Sequence, residues 1–287
     1  MHSYNTIIST DDLAPIVGQT GLVLFDARFS LQDTSLGRNL YDQGHLPGAH
    51  YADLDKDLSR LDKKVGCRHP LPSPDDFCRF LGRAGVTPNS QIVTYDSANS
   101  AMAARLWWLC KWVGHENVAV LDGGYQAWVN AGLPTSKDSP STANRSGIAS
   151  DNAYPGSPNP KMIFSTETIE KGIGQEGFVL VDAREPVRFR GETEPIDPVA
   201  GHIPGAVNIP FMGSLDESNR FLPPELLRKR FEIAKHATHP AMMCGSGVTA
   251  CHNVLAYEIA YGQRPPLYAG SWSEWIADRS RPVATGP

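Results

Sequence analysis

The sequence has little of what would mark several common functions. It has no run of eighteen or more apolar residues, which argues against a membrane-spanning helix. It has no basic stripe and a formal net charge of −5, which argues against a nucleic-acid partner. The first residues, MHSYNT, show no charged segment followed by an apolar one, so no secretory signal is read there and the cytoplasm is the expected compartment. Cysteine is scarce: Cys67, Cys78, Cys110, Cys244 and Cys251 form an odd, scattered set with no CxxC pair. That pattern suits neither a disulfide framework nor zinc-ligand spacing, and no metal or cofactor is expected.

What is present is a repeat. Residues 22–28 read LVLFDAR and residues 178–184 read FVLVDAR. Residues 44–49 read GHLPGA and residues 201–206 read GHIPGA; residues 121–128 read LDGGYQAW and residues 268–275 read YAGSWSEW. Three matching blocks in one order indicate a duplicated domain rather than a short-period array. A stretch rich in Ser, Pro, Asn and Gly separates the halves, giving a first domain over 1–136, a linker over 137–161 and a second domain over 162–287.

Each half repeats one local grammar. A short apolar run ending in Asp-Ala-Arg reads as a buried parallel strand, and the Gly/Pro-rich turn follows. A second apolar run (91–95, 241–243) then leads into a segment with apolar residues at helical spacing (101–113, 249–261). Alternating strand, loop and helix imply an α/β fold with a central, mostly parallel sheet flanked by helices. Active sites on such sheets lie at the carboxyl ends of strands, which points to the residues just after Tyr95 and Met243.

The halves differ at that point. The first has Asp96-Ser97-Ala98-Asn99-Ser100; the second has Cys244-Gly245-Ser246-Gly247-Val248-Thr249. Gly245 and Gly247 permit positive φ and close backbone approach. A Gly-rich loop opening a helix turns amide groups inward as an anion nest, the setting in which a thiol becomes a reactive thiolate. Cys244 is therefore the candidate nucleophile, weighed against a merely buried structural cysteine. Asp26 with Arg28, and Asp182 with Arg184, occur in both halves and read as ion-paired supports; His45 and His202 read as structural for the same reason. Cys251 reads as core packing rather than a resolving thiol, and the tryptophans read as mostly core or interdomain packing, with Trp272 the one that could line the site mouth.

The loop CGSGVTA resembles that of 3-mercaptopyruvate sulfurtransferases of the rhodanese superfamily, and the resemblance extends to both DAR strands, both GH(L/I)PGA turns and GSWSEW. It implies two tandem rhodanese-like domains, the first catalytically silent, as Asp96 in place of cysteine agrees. It implies a persulfide on Cys244, formed from a small-molecule donor and passed to cyanide, a thiol or a thiol-redox protein. Ser246, His69 and Asp55 match the family's proposed proton relay, meeting at the domain interface. Arg188 matches an arginine that grips the substrate's negative group, with Gly245, Gly247, Val248 and Thr249 lining the loop. Arg190 would share a face with Arg188 if that stretch is extended.

The donor follows from charge. Similar rhodaneses that take thiosulfate carry an Arg-Lys pair after the cysteine, where this chain has Gly245 and Ser246; a loop without a cation favours 3-mercaptopyruvate. Asp197, however, stands where the family has a second substrate arginine, and the loop after Tyr95 looks two residues short. Thiosulfate is therefore the alternative donor, and a non-catalytic binding module the alternative role. A phosphatase on the same fold would need Arg where Ala250 stands, and a serine hydrolase would need a GxSxG elbow around Ser246.

Overall fold

The computed structural model describes residues 3–60, 66–138, 140 and 153–287. Positions 139 and 141–152 of the expected linker lie outside the described residues. The chain forms two compact units. The first takes Met1–Arg60, Pro72–Asn159 and Ser218–Arg220; the second takes Leu61–Leu71, Pro160–Glu217 and Phe221–Pro287. The short segment carrying His69 thus groups with the second unit, although it lies in the first half of the sequence.

In the first unit, β1 (Ile7–Ile8), β2 (Leu22–Asp26), β3 (His50–Tyr51), β4 (Gln91–Tyr95) and β5 (Val118–Leu121) form one parallel sheet in the order β1-β5-β4-β2-β3. Its helices are α1 (Thr10–Leu13), α2 (Leu36–Gln43), α3 (Pro74–Arg83), α4 (Ala103–Trp112) and α5 (Gly124–Asn130). Ser73 caps α3, its hydroxyl accepting the Asp76 amide, with Pro74 in the first turn where no amide partner is needed. Every residue of β4 and α4 is buried, so α4 is covered around its whole circumference rather than along one stripe, its Arg105 and Lys111 included.

The second unit contains β6 (Phe178–Asp182), β7 (Val207–Asn208) and β8 (His239–Met243), parallel in the order β7-β6-β8. Its helices are α6 (Thr166–Gly172), α7 (Pro186–Phe189), α8 (Pro224–Arg230), α9 (Glu232–Lys235), α10 (Ala250–Tyr261) and α11 (Ser271–Trp275). Where the first unit has β5, the second has Pro265-Pro266-Leu267. Proline cannot donate to a ladder, so the strand shrinks to single parallel bridges from Leu267 to Met242 and Ile163. That is why two halves with one grammar give five strands and three.

The repeated motifs hold each other. Arg184 chelates Asp182 through Nε and Nη2 and donates from Nη2 to the Gly201 carbonyl at 2.8 Å. Arg28 does the same to Asp26 and Gly44. The guanidinium of Arg28 lies 4.1 Å from the Tyr125 ring centroid, and that of Arg184 lies 4.8 Å from Trp272. The DAR strand, the Gly of the turn and the aromatic near the end of each repeat are thus one buried cluster. His45 and His202 serve the same joint: each bonds a backbone carbonyl through Nδ1 (Tyr41 and Phe189) and stacks on that residue's ring. The structural reading of these residues stands.

Candidate active site

Parallel register places the site. Asp182 pairs with Met243, so the buried Asp182–Arg184 support lies beside the end of β8, and the chain then enters the loop with Cys244. Cys244 is 2% exposed. Its amide donates to Ser271 Oγ at 3.1 Å, and its carbonyl accepts from Trp272 N at 3.0 Å; the Gly245 carbonyl accepts from Ser273 N at 2.9 Å. The GSWSEW segment therefore clamps the loop, and Ser271 adopts φ 54° to do so.

The two glycines have different tasks. Gly247 has φ +79°, and a Cβ there would sit 2.3 Å from the Ala269 carbonyl oxygen. Gly245 does not use positive φ; a Cβ there would sit 2.6 Å from Arg68 Nη2 and 3.6 Å from Arg188 Nη2. The expectation that both glycines supply φ freedom is met by Gly247 alone, whereas Gly245 makes room for guanidinium groups. The Val248 carbonyl accepts from Cys251 N at 3.1 Å and the Thr249 carbonyl from His252 N at 3.1 Å, so these two residues launch α10. The amides of Gly245, Ser246, Val248 and Thr249 donate to none of the described residues.

The equivalent loop after β4 shows what such amides do. Asp96, fully buried, accepts from Ala98 N and Ser100 N on Oδ1 and from Met102 N and Ala103 N on Oδ2, at 2.9–3.2 Å. Burial pushes its carboxyl pKa up, against the four hydrogen bonds that pull it down. The first unit fills its own nest with a carboxylate.

Ser246 and His69 come together: His69 Nδ1 lies 2.7 Å from Ser246 Oγ, both buried. Asp55 belongs to the other unit, partly buried, its carboxyl pKa raised by burial and by Asp53. Arg188 sits in α7, a single helical turn opened by Pro186, so the stretch is not extended and the condition under which Arg188 and Arg190 would share a face is not met. Arg190 turns away to pair with Glu192. Arg188 chelates Glu194 and reaches Asp197 Oδ2 at 3.3 Å. Trp272 does not line a mouth; its ring is buried under Arg184 and its Nε1 donates to the Val199 carbonyl, because the aromatic is needed to close the motif cluster. Cys251 is buried, its thiol 3.3 Å from the Gly247 carbonyl, as packing predicts.

The rhodanese-like domain family matches residues 9–131 and 165–278. The chain belongs to the rhodanese family. It is 45% identical over 285 residues to a Pseudomonas aeruginosa protein named as a probable 3-mercaptopyruvate sulfurtransferase, covering 98% of each chain. It is 38% identical over 286 residues to a candidate thiosulfate sulfurtransferase of Mycobacterium tuberculosis, SseB, covering 98% of this chain and 97% of the relative. Its fold matches the crystal structure of the 3-mercaptopyruvate sulfurtransferase SseA from Escherichia coli with a TM-score of 0.78 and 25% identity, over 94% of this chain and 99% of that one. The tandem rhodanese fold expected from the sequence is the fold observed.

Reading the rhodanese repeat in sequence missed three side chains at the loop: Arg68, Glu194 and Ser271. Arg68 had a signal, since it precedes His69 and an acid at position 197 calls for a compensating cation. Nothing in the sequence distinguished Glu194 from any surface glutamate.

Proposed function

We propose that this protein is a sulfurtransferase that takes sulfur from 3-mercaptopyruvate onto Cys244 and hands it to cyanide, a small thiol or a thiol-redox protein. Domain 162–287 carries the chemistry and domain 1–136, with Asp96 in its loop, is silent. The observation that carries the reading is the loop itself: a buried Cys244 at the carboxyl end of β8, amides of Gly245, Ser246, Val248 and Thr249 that find no acceptor among the described residues, and Ser246 bonded to His69. A persulfide anion fits those donors as Asp96 fits the equivalent ones.

The Cys244 thiolate attacks the donor sulfur. The new S–S bond forms as the C–S bond breaks, and the electron pair passes into the enolate of pyruvate. Protonation of that enolate carbon gives pyruvate, and the Ser246–His69 pair is suited to deliver the proton. Asp55 is proposed as the third member, holding the imidazole. In the second half-reaction the acceptor attacks the outer sulfur and Cys244 leaves as thiolate. Arg188 and the loop backbone of Gly245, Gly247, Val248 and Thr249 bind the donor, and no cofactor enters either step.

The cytoplasm is the proposed compartment, which five scattered cysteines without CxxC spacing suit better than a disulfide framework would. No helix among the described residues is long and apolar enough to cross a membrane. Thiosulfate is the second reading, favoured by the guanidinium groups against Gly245 and by the SseB relative. The test compares kcat/KM for the two donors with cyanide as common acceptor and Cys244→Ser as control. Preference for 3-mercaptopyruvate supports the reading and preference for thiosulfate replaces it. Turnover no higher than Cys244→Ser on either donor would leave a binding module.

A further inference from the structure

Asp197 removes a cation from the donor site only if nothing replaces it. Its carboxylate is 1% exposed and is held by two arginines: Arg68 Nε to Oδ1 at 2.8 Å and Nη2 to Oδ2 at 3.1 Å, and Arg188 Nη2 to the same Oδ2 at 3.3 Å. The ion pairs continue as an alternating chain, Asp182–Arg184–Glu194–Arg188–Asp197–Arg68. Inside that chain Arg184 and Arg188 each face two carboxylates. Arg68 ends it and faces one, so the cationic end of the network is Arg68.

That end is turned to the site. The Arg68 side chain is 26% exposed and Arg188 13%, against 1% for Asp197 and 3% for Glu194. The acids are deep and the guanidinium groups shallow, so the face presented outward is basic. Arg68 Nη2 is the nearest atom to the position of a Cβ on Gly245, the residue following Cys244. The Arg68 amide donates to Ser273 Oγ at 3.2 Å, and the Ser273 amide holds the Gly245 carbonyl, which ties this arginine to the loop. The Nη1 groups of Arg68 and Arg188 donate to none of the described residues, leaving N–H pairs on two guanidinium groups that share one carboxylate oxygen.

We infer that Arg68, oriented by Asp197, is the principal grip for the carboxylate of the α-keto acid donor, with Arg188 as the second arm. The inference rests on the donor reading given above. It removes the conflict that Asp197 raised: the cation absent from position 197 is supplied from position 68, and the acid holds it in place. Bidentate geometry from a planar guanidinium is what a carboxylate accepts best. Gly245 is then the space this arm occupies.

The test uses the full chain with Arg68→Met and the milder Arg68→Lys, which keeps a cation beside Asp197. Two readouts are taken: protection of Cys244 from iodoacetamide by pyruvate, mapped on the Cys244 peptide, and KM against kcat for 3-mercaptopyruvate. Arg68→Met should weaken pyruvate protection and raise KM about tenfold with kcat within about twofold, the scale of one lost charge-assisted contact. Arg68→Lys should fall between it and the wild type, and decides the matter if the methionine variant does not fold. Wild-type KM and protection in the variants would overturn the assignment, as would a fall in kcat alone that follows the folded fraction. No protection of the wild type by pyruvate overturns it too. The two proposals separate: protection through Arg68 without 3-mercaptopyruvate turnover would sink the donor reading alone, whereas turnover with an unaltered KM in Arg68→Met would sink this one alone.

Discussion

Replacing each loop glycine by alanine should give opposite results, although the two positions are two residues apart. At Gly247 the substitution meets two costs. The backbone has φ +79°, which costs a residue with a Cβ about 1–2 kcal/mol. The new Cβ would also stand 2.3 Å from the Ala269 carbonyl oxygen and about as close as 3.0 Å to its carbon, both backbone atoms. That backbone cannot yield cheaply, because the neighbouring Tyr268 amide is bonded to Met242 in β8 and Ser271 clamps Cys244. Overpacking of this kind costs a further ~1–3 kcal/mol, so Gly247→Ala should lose about 3 kcal/mol and move the loop. If Cys244 is the nucleophile as proposed, a shift near 1 Å there lowers kcat by about a hundredfold. Gly245→Ala has ordinary φ, and its Cβ meets the far end of the flexible Arg68 side chain at 2.6 Å. It should cost under ~1 kcal/mol, leave kcat near wild type and raise KM as Arg68 is pushed aside. Thermal unfolding and steady-state kinetics with 3-mercaptopyruvate and cyanide measure both. Equal losses of kcat and stability in the two variants would refute the division of labour drawn from their geometry.

Other outcomes follow from the same structure. Asp96→Ala would leave four amides without their acceptor; desolvation recovered from the carboxylate offsets part, and a loss of about 3 kcal/mol, or a Tm lower by about 6–12 °C, is expected in differential scanning calorimetry. A Tm shift within about 2 °C of wild type would contradict the plugged-nest reading. His252 is fully buried, neither ring nitrogen has a hydrogen-bond partner among the described residues, and burial lowers its pKa to about 3. Its folded pKa lies below the unfolded value of about 6.5, so the unfolded chain binds the extra proton first; stability is intact above that value and falls as pH drops, by about 2 kcal/mol at pH 5. His252→Phe should flatten urea-unfolding midpoints over that range, and an unchanged pH slope would count against it. Asp55→Asn should lower kcat for 3-mercaptopyruvate by about tenfold or more if the carboxylate orients His69, while KM stays near wild type; an unaltered kcat would remove Asp55 from the relay.

The repeat was legible because both halves need the same joint. An Asp-Ala-Arg strand end, a Gly-opened turn and a late aromatic close on one buried guanidinium, and those residue types cannot be varied without breaking it. The position of Cys244 was legible too, since a Gly-rich loop between an apolar run and a helix can lie only at a strand's carboxyl end. Local sequence also carried the roles of His45 and His202, repeated in both halves. Tertiary structure decided the rest. Strand count in the second unit fell because Pro265 and Pro266 lack ladder amides. Arg188 sat on one turn of helix rather than an extended stretch, and Trp272 was spent under Arg184. Above all, charge beside the Cys244 loop is a property of the ion-pair chain and not of the loop's own residues. Read along the sequence, Gly245 and Ser246 leave the loop uncharged and Asp197 makes it worse. In space Asp197 is buried and draws Arg68 against the loop from about 130 positions away, because a carboxylate out of water must be paired and a guanidinium is what pairs it.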